Sequence, residues 1–104
     1  MAAWVAKLDG THGIVTLKGD LTALVVPEMQ GELREMVKLV ARELTFDLSK
    51  AAMLDSSGIG LLIAAAHSVA PEGGSIRVTR VSADIFRLLQ SMRLVTRLNV
   101  SPAA

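Results

Sequence analysis

The sequence predicts an α/β fold: a mixed, mostly parallel sheet of four to five strands packed with three or so helices. Three observations carry this. Strand-like and helix-like segments alternate in the order ββ-α-β-α-β-α-(β), and strands separated by helices need crossover connections, which favour parallel pairing. Three segments repeat apolar residues at steps of three and four, the period of a helix with one face in a core. The first two strand-like segments are joined by turn residues alone, which makes an antiparallel hairpin.

Residues 3–8 and 13–18 are the two hairpin strands, with Asp9, Gly10, Thr11, His12 and Gly13 between them. In the second, Ile14, Thr16 and Lys18 alternate with Val15 and Leu17. Gly19, Asp20, Leu21 and Thr22 close that strand and open a loop. Pro27 suits a first helical turn and Glu28 suits its positive end. Met29, Leu33, Met36, Val37 and Val40 then form one stripe of a helix over 26–41, with Glu32, Arg34, Glu35, Lys38 and Arg42 on the other side. Residues 43–48 read as a strand with Asp47 near its end, and 49–54 as a loop.

A second helix starts at Ser57 or Gly58 and runs to about Ala70. Ala64, Ala65 and Ala66 suit close packing on a sheet, and Pro71, Glu72, Gly73 and Gly74 end it. Residues 75–81 form the next strand, with Ile76, Val78 and Val81 toward the core. Ser82 is an N-cap type and Asp84 sits in the first turn of a third helix. Ile85, Leu88, Leu89 and Met92 are its stripe, to about residue 92. Residues 93–100 supply a short last strand and 101–104 a tail. The helices would cover one face of the sheet or both.

With 104 residues, of which 51% are apolar, the chain makes one domain, 1–104, with a single core. Only Trp4, Phe46 and Phe86 are aromatic, so aliphatic residues fill most of that core. Eleven basic and ten acidic residues are scattered without a run of one sign. This argues against nucleic acid as a main partner. No apolar run approaches the ~20 residues that span a bilayer, and no signal-peptide pattern opens the chain, so a cytoplasmic protein without direct membrane insertion is expected. There is no cysteine, hence no thiol chemistry.

Enzyme and metal templates fit poorly. No Gly-x-Ser-x-Gly elbow surrounds Ser56 or Ser57, and no His-x-x-x-His or carboxylate cluster has ligand spacing. Gly58-Ile59-Gly60 continues into an apolar run, unlike a dinucleotide fingerprint. A triad of Ser56, His67 and Asp47 remains an open alternative. No catalytic residue, metal or cofactor is expected.

What stands out is the loop-to-helix junction, "LDSSGIGLL" at 54–62. Asp55, Ser56 and Ser57 are all N-cap types, and Gly58 and Gly60 would allow tight turning and packing. On this reading Asp55 and Ser57 shape and cap the helix start. Loops after the C-terminal ends of parallel strands are also where α/β sheets carry sites. A serine hydroxyl here stands at the positive end of a helix, where phosphorylation would add about −1.5 to −2 charge.

"FDLSKAAMLDSSGIGLL", residues 46–62, resembles the STAS domain family, and most closely its bacterial anti-sigma factor antagonists. "VTLKGDLT", residues 15–22, is similar to the family's second strand and Gly-x-Leu turn, and residues 73–100 to its later strand and helix. The resemblance covers nearly the whole chain. It implies a non-enzymatic phosphoswitch with Ser56 as the phosphoacceptor. An anti-sigma factor with a GHKL-type serine kinase fold would modify it, and a serine phosphatase would restore it. The unmodified form would bind the kinase and release the sigma factor.

The implied partner-binding residues are Asp20, Thr22, Asp55, Ser56, Ser57 and Gly58. Thr22 stands where family members often carry an acidic residue, and Ala23 to Val26 are apolar for a loop, either a partner surface or the helix's entry packing. The family's common last helix is not expected after Val100. The alternative within the family is a constitutive interaction subunit of a lipid ABC transporter or a stressosome-type complex. Lipid-transport members commonly carry Thr in place of the first Ser of the motif.

Overall fold

The computed structural model describes residues 3–39 and 42–103. Five strands form one sheet in the order β1-β2-β3-β4-β5, with β1 (Trp4–Asp9), β2 (His12–Leu17), β3 (Glu43–Asp47), β4 (Ser75–Val81) and β5 (Val100–Pro102). The β1–β2 hairpin is antiparallel and turns at Gly10, whose φ of 62° needs a residue without Cβ strain. The other three pairings are parallel. They are reached through α1 (Val26–Leu39), α2 (Ser56–Val69) and α3 (Ala83–Ser91).

Strict alternation sorts the two faces of the sheet. Val15, Leu17, Leu44, Phe46, Ile76 and Val78 point to one side and are buried. Met29, Leu33 and Met36 of α1, Leu61, Leu62, Ala65 and Val69 of α2, and Ile85 and Leu89 of α3 join them in one core. The helices therefore pack against this face, and the opposite face carries His12, Thr16, Glu43, Thr45, Asp47, Arg77 and Thr79. There His12 Nε2 lies 2.7 Å from Thr45 Oγ1, and Arg77 reaches Glu43 at 3.6 Å. A bulge ends β4: Arg80 has φ 56°, which returns Val81 to the core and lets the Arg80 guanidinium donate to Asp47 at 2.6 Å.

Several boundaries differ from the sequence reading. α2 begins at Ser56, one or two residues early, because Asp55 takes the N-cap. The final strand is not 93–100 but Val100–Pro102. Residues 93–99 turn instead, with positive φ at Arg93 (59°) and Asn99 (51°), and bury Leu94 and Leu98 in the core. An apolar pair four residues apart fits a turning segment as well as a strand. In the third stripe, Ile85 and Leu89 are buried but Leu88 and Met92 are 37% and 46% exposed, since α3 is short and turns only a narrow face inward. Of the alanine run, only Ala65 is fully buried and Ala64 faces out. Val40, and the expected helix end at 41, lie outside the described residues.

Phe46 is wholly buried at the centre of the core. Phe46→Ala should lower unfolding free energy by about 3–5 kcal/mol, measured by urea denaturation.

Candidate functional site

The site is built where two loops leave the C-terminal ends of adjacent parallel strands. One joins β2 to α1 and the other joins β3 to α2. The strands' pairing continues into the loops as a single parallel bridge between Leu21 and Leu54. Leu21 N–H donates to Met53 O at 3.2 Å, and Asp55 N–H to Leu21 O at 3.4 Å.

Two carboxylates then tie the loops reciprocally. Asp20 Oδ1, in the first loop, accepts the N–H groups of Ala52 and Met53 in the second at 2.8 and 2.9 Å. Asp55, in the second loop, accepts Ala23 N–H of the first through Oδ2 at 2.9 Å. Its Oδ1 accepts Gly58 N–H at 2.9 Å and so caps α2. The Gly58 N–H, followed by that of Ala23, holds the Asp55 carboxyl below the ordinary carboxylate range. Asp55 is thus the cap, and Ser57 is half-buried in the first turn behind it.

Gly58 has a steric reason that its neighbour lacks. A Cβ at 58 would stand 2.3 Å from Leu21 O and 2.7 Å from Leu54 Cδ1. The first turn of α2 is pressed against both loops, and only glycine fits. Gly60 was expected to serve tight packing too, but nothing lies within 4 Å of where its Cβ would be. It is exposed, one turn along from Ser56 on the same side of α2.

The clasped loops present a surface. Ser56 is exposed as the first residue of the helix. Its chain neighbour Asp55 lines an open depression of about 500 Å³ together with Leu24, 89% exposed, Met53, 58% exposed, and Asp20, Thr22, Ala23 and Val25. The apolar segment 23–26 divides its roles: Val26 is buried as helix entry packing, while Ala23 and Leu24 face out. Thr22 is half-buried. Its carbonyl accepts Val25 and Val26 N–H at 2.9 and 3.0 Å, so it starts α1. Asp55 uses both its oxygens, and Asp20 its Oδ1, in the clasp. The sequence reading missed Met53; its signal was a large apolar side chain in a segment read as loop.

The triad alternative is not assembled. His67 lies eleven residues beyond Ser56 on the same helix, about 16 Å along its axis. Its Nε2 accepts from the Arg97 guanidinium at 2.7 Å. Asp47 is engaged elsewhere. Its burial raises its pKa, but the Arg80 guanidinium and the Ser49 N–H outweigh this and hold it below the ordinary value. Among the described residues no three His, Asp or Glu side chains gather to hold a metal ion, and no helix is long and apolar enough to cross a membrane.

Fold and site together define a two-layer α/β domain whose distinctive feature is an exposed loop–helix surface rather than an enclosed cavity. Residues 4–99 match the family model described as "Mlab, STAS domain", and the chain belongs to the STAS domain family. STAS domains are generally regulatory and non-catalytic. No curated protein sequence matches. Among solved structures, an anti-sigma factor antagonist from Mycobacterium paratuberculosis is 19% identical with TM-score 0.82, over 95% of this chain and 84% of that one. The Bacillus cell fate determinant SpoIIAA in its phosphorylated form is 14% identical with TM-score 0.79, over 98% and 92%. The murine Solute Carrier 26 family member A9 anion transporter is 16% identical with TM-score 0.73, over 94% of this chain and 17% of that one. These likenesses are of fold.

Two outcomes test the clasp. Gly58→Ala should destabilise by about 1–3 kcal/mol through overpacking, whereas Gly60→Ala should stabilise by about 0.5–1 kcal/mol through helix propensity alone; both are read from urea unfolding. Because Asp55 and Asp47 have depressed pKa values when folded, their contributions are full above the unfolded-state value near 4 and are lost as pH falls through the folded values. Stability should therefore fall steeply below about pH 4, and Asp55→Asn should flatten that fall while lowering stability at neutral pH.

Proposed function

We propose that the chain is a cytoplasmic anti-sigma factor antagonist, without catalytic activity of its own, whose binding is switched by phosphorylation at Ser56. Its partner is an anti-sigma factor with a GHKL-type serine kinase fold, and a serine phosphatase reverses the modification. The observation that carries this reading is the exposure of Ser56 at the first position of α2, directly after Asp55, which lines one depression with the exposed apolar side chains of Leu24 and Met53. Asp20, Thr22, Asp55, Ser57 and Gly58 hold or border that surface.

Electrostatics supports such a switch. The helix end tolerates an anion, so a phosphate on Ser56 need not unfold α2. It would stand beside the Asp55 carboxylate, whose lowered pKa keeps it ionised and whose two oxygens are already committed. α2 carries no lysine or arginine to neutralise the pair. A phosphate therefore adds about −1.5 to −2 charge next to carboxylates that already border the apolar docking surface. Gly60, on the same side, leaves the helix backbone open to close approach by the partner.

A second reading is a constitutive interaction subunit of a lipid ABC transporter or a stressosome-type complex. The family model's description, which is not that of an anti-sigma factor antagonist, favours it. Binding of the transporter's ATPase, unchanged by substitutions at Ser56, would support this reading over the first.

Incubation with ATP and a serine-kinase anti-sigma factor should place phosphate on Ser56, located by mass spectrometry. Calorimetry should find binding retained by Ser56→Ala and weakened about tenfold or more by Ser56→Asp and Ser56→Glu. Equal binding by all three variants overturns the switch.

A further inference from the structure

A second surface lies away from Ser56, in an open groove of about 310 Å³ between α1 and α2. Its floor is apolar: Leu33 and Val37 from α1, Leu61 and Ala65 from α2. We propose that this groove docks an amphipathic helix of another protein that carries acidic residues beside its apolar edge.

Three features point to that occupant. First, α2 has no lysine, arginine, aspartate or glutamate in 14 residues, although its outer side is exposed. An exposed helix face without charge is the composition of a covered surface, since interface centres are depleted in charge. Second, small Ala64 and Ser68 form the α2 wall, so a partner's side chains can reach the buried floor.

Third, charge on α1 is segregated around the groove. Arg34 and Lys38 rim it, while the acids of α1 turn away. Glu32 accepts from Trp4 Nε1 over β1 at 3.2 Å, on the opposite flank of the helix. Glu28 and Glu35 lie on that same outer side by helical spacing. Arg34 makes no ion pair among the described residues, and Lys38 makes only an exposed contact to Glu35 at 3.4 Å. A basic rim over an apolar floor matches an acidic, leucine-bearing helix in the helix-in-groove mode.

The test uses the full chain and a phage-displayed library of helical peptides with apolar residues at i, i+3 and i+7 and random flanking positions. Selection should enrich Asp and Glu at the flanks. Affinity of a selected peptide should fall about tenfold or more in Arg34→Glu/Lys38→Glu and in Ala64→Arg. A peptide with its acids changed to lysine should regain affinity for the charge-reversed protein. Ser56→Asp should leave all of this unchanged, which separates the groove from the loop–helix surface. Arg34, Lys38 and Ala64 are all exposed, and circular dichroism checks that the variants fold. Failure to enrich a binder, enrichment without acidic residues, or binding insensitive to Ala64→Arg overturns the proposal. So does a dimer in light scattering that Ala64→Arg makes monomeric, because the occupant is then a second copy.

Discussion

Two aspartates facing each other across adjacent loops are the constraint on which the rest of the surface depends. Asp20 accepts two backbone N–H groups of the other loop through one oxygen, while Asp55 gives one oxygen to the Asp20 loop and its second to the cap of α2. Four N–H groups that would otherwise need water are satisfied by two side chains. The parallel strands beneath bring the loops side by side, and Gly58 lets α2 press down on them without a clash. Leu24, Met53 and Ser56 are consequently presented from a braced platform rather than from independent loops.

That bracing also bears on the switch proposed at Ser56. A phosphate at the start of α2 has little to disrupt internally, because the cap is already made by Asp55 and the helix end favours an anion. In the proposed switch its effect would fall instead on a partner docked against Leu24 and Met53. The proposed switch would therefore need no conformational transition, because the new charge would act directly at the interface. The opposite face of the sheet, with its short-range ladder of His12, Thr45, Glu43 and Arg77, stands apart from this surface across the thickness of the sheet.

Charge distribution divides the helices in the same spirit. α1 sorts its acids to one flank and Arg34 and Lys38 to the other, while α2 has no such residues at all. In an amphipathic helix the outer face is normally the charged one. α2 departs from that pattern along its whole length, from Ser56 past Gly60 to Ala64 and Ser68. The departure links the loop–helix surface at one end to the apolar groove at the side, the two surfaces for which partners are proposed.

Much of this was legible in the chain. Alternating apolar residues at Val15 and Leu17, or at Ile76 and Val78, and the three-four stripe from Met29 to Met36, report burial directly because side-chain direction follows from backbone period. The "LDSSGIGLL" junction announced a helix start, since three cap-type residues before an apolar run leave few other readings. Tertiary structure alone decided which of them did what. Asp55 became the cap and a tie because β2 and β3 placed Ala23 within reach of its second oxygen. Gly58 became indispensable, and Gly60 did not, because only one of them faces Leu21. The end of the chain resisted reading for a related reason: residues 93–99 bury Leu94 and Leu98 through turns whose positive φ angles leave no periodic trace. Period and composition are local properties and survive in sequence; the meeting of two loops is not local, and it exists only once the sheet has formed.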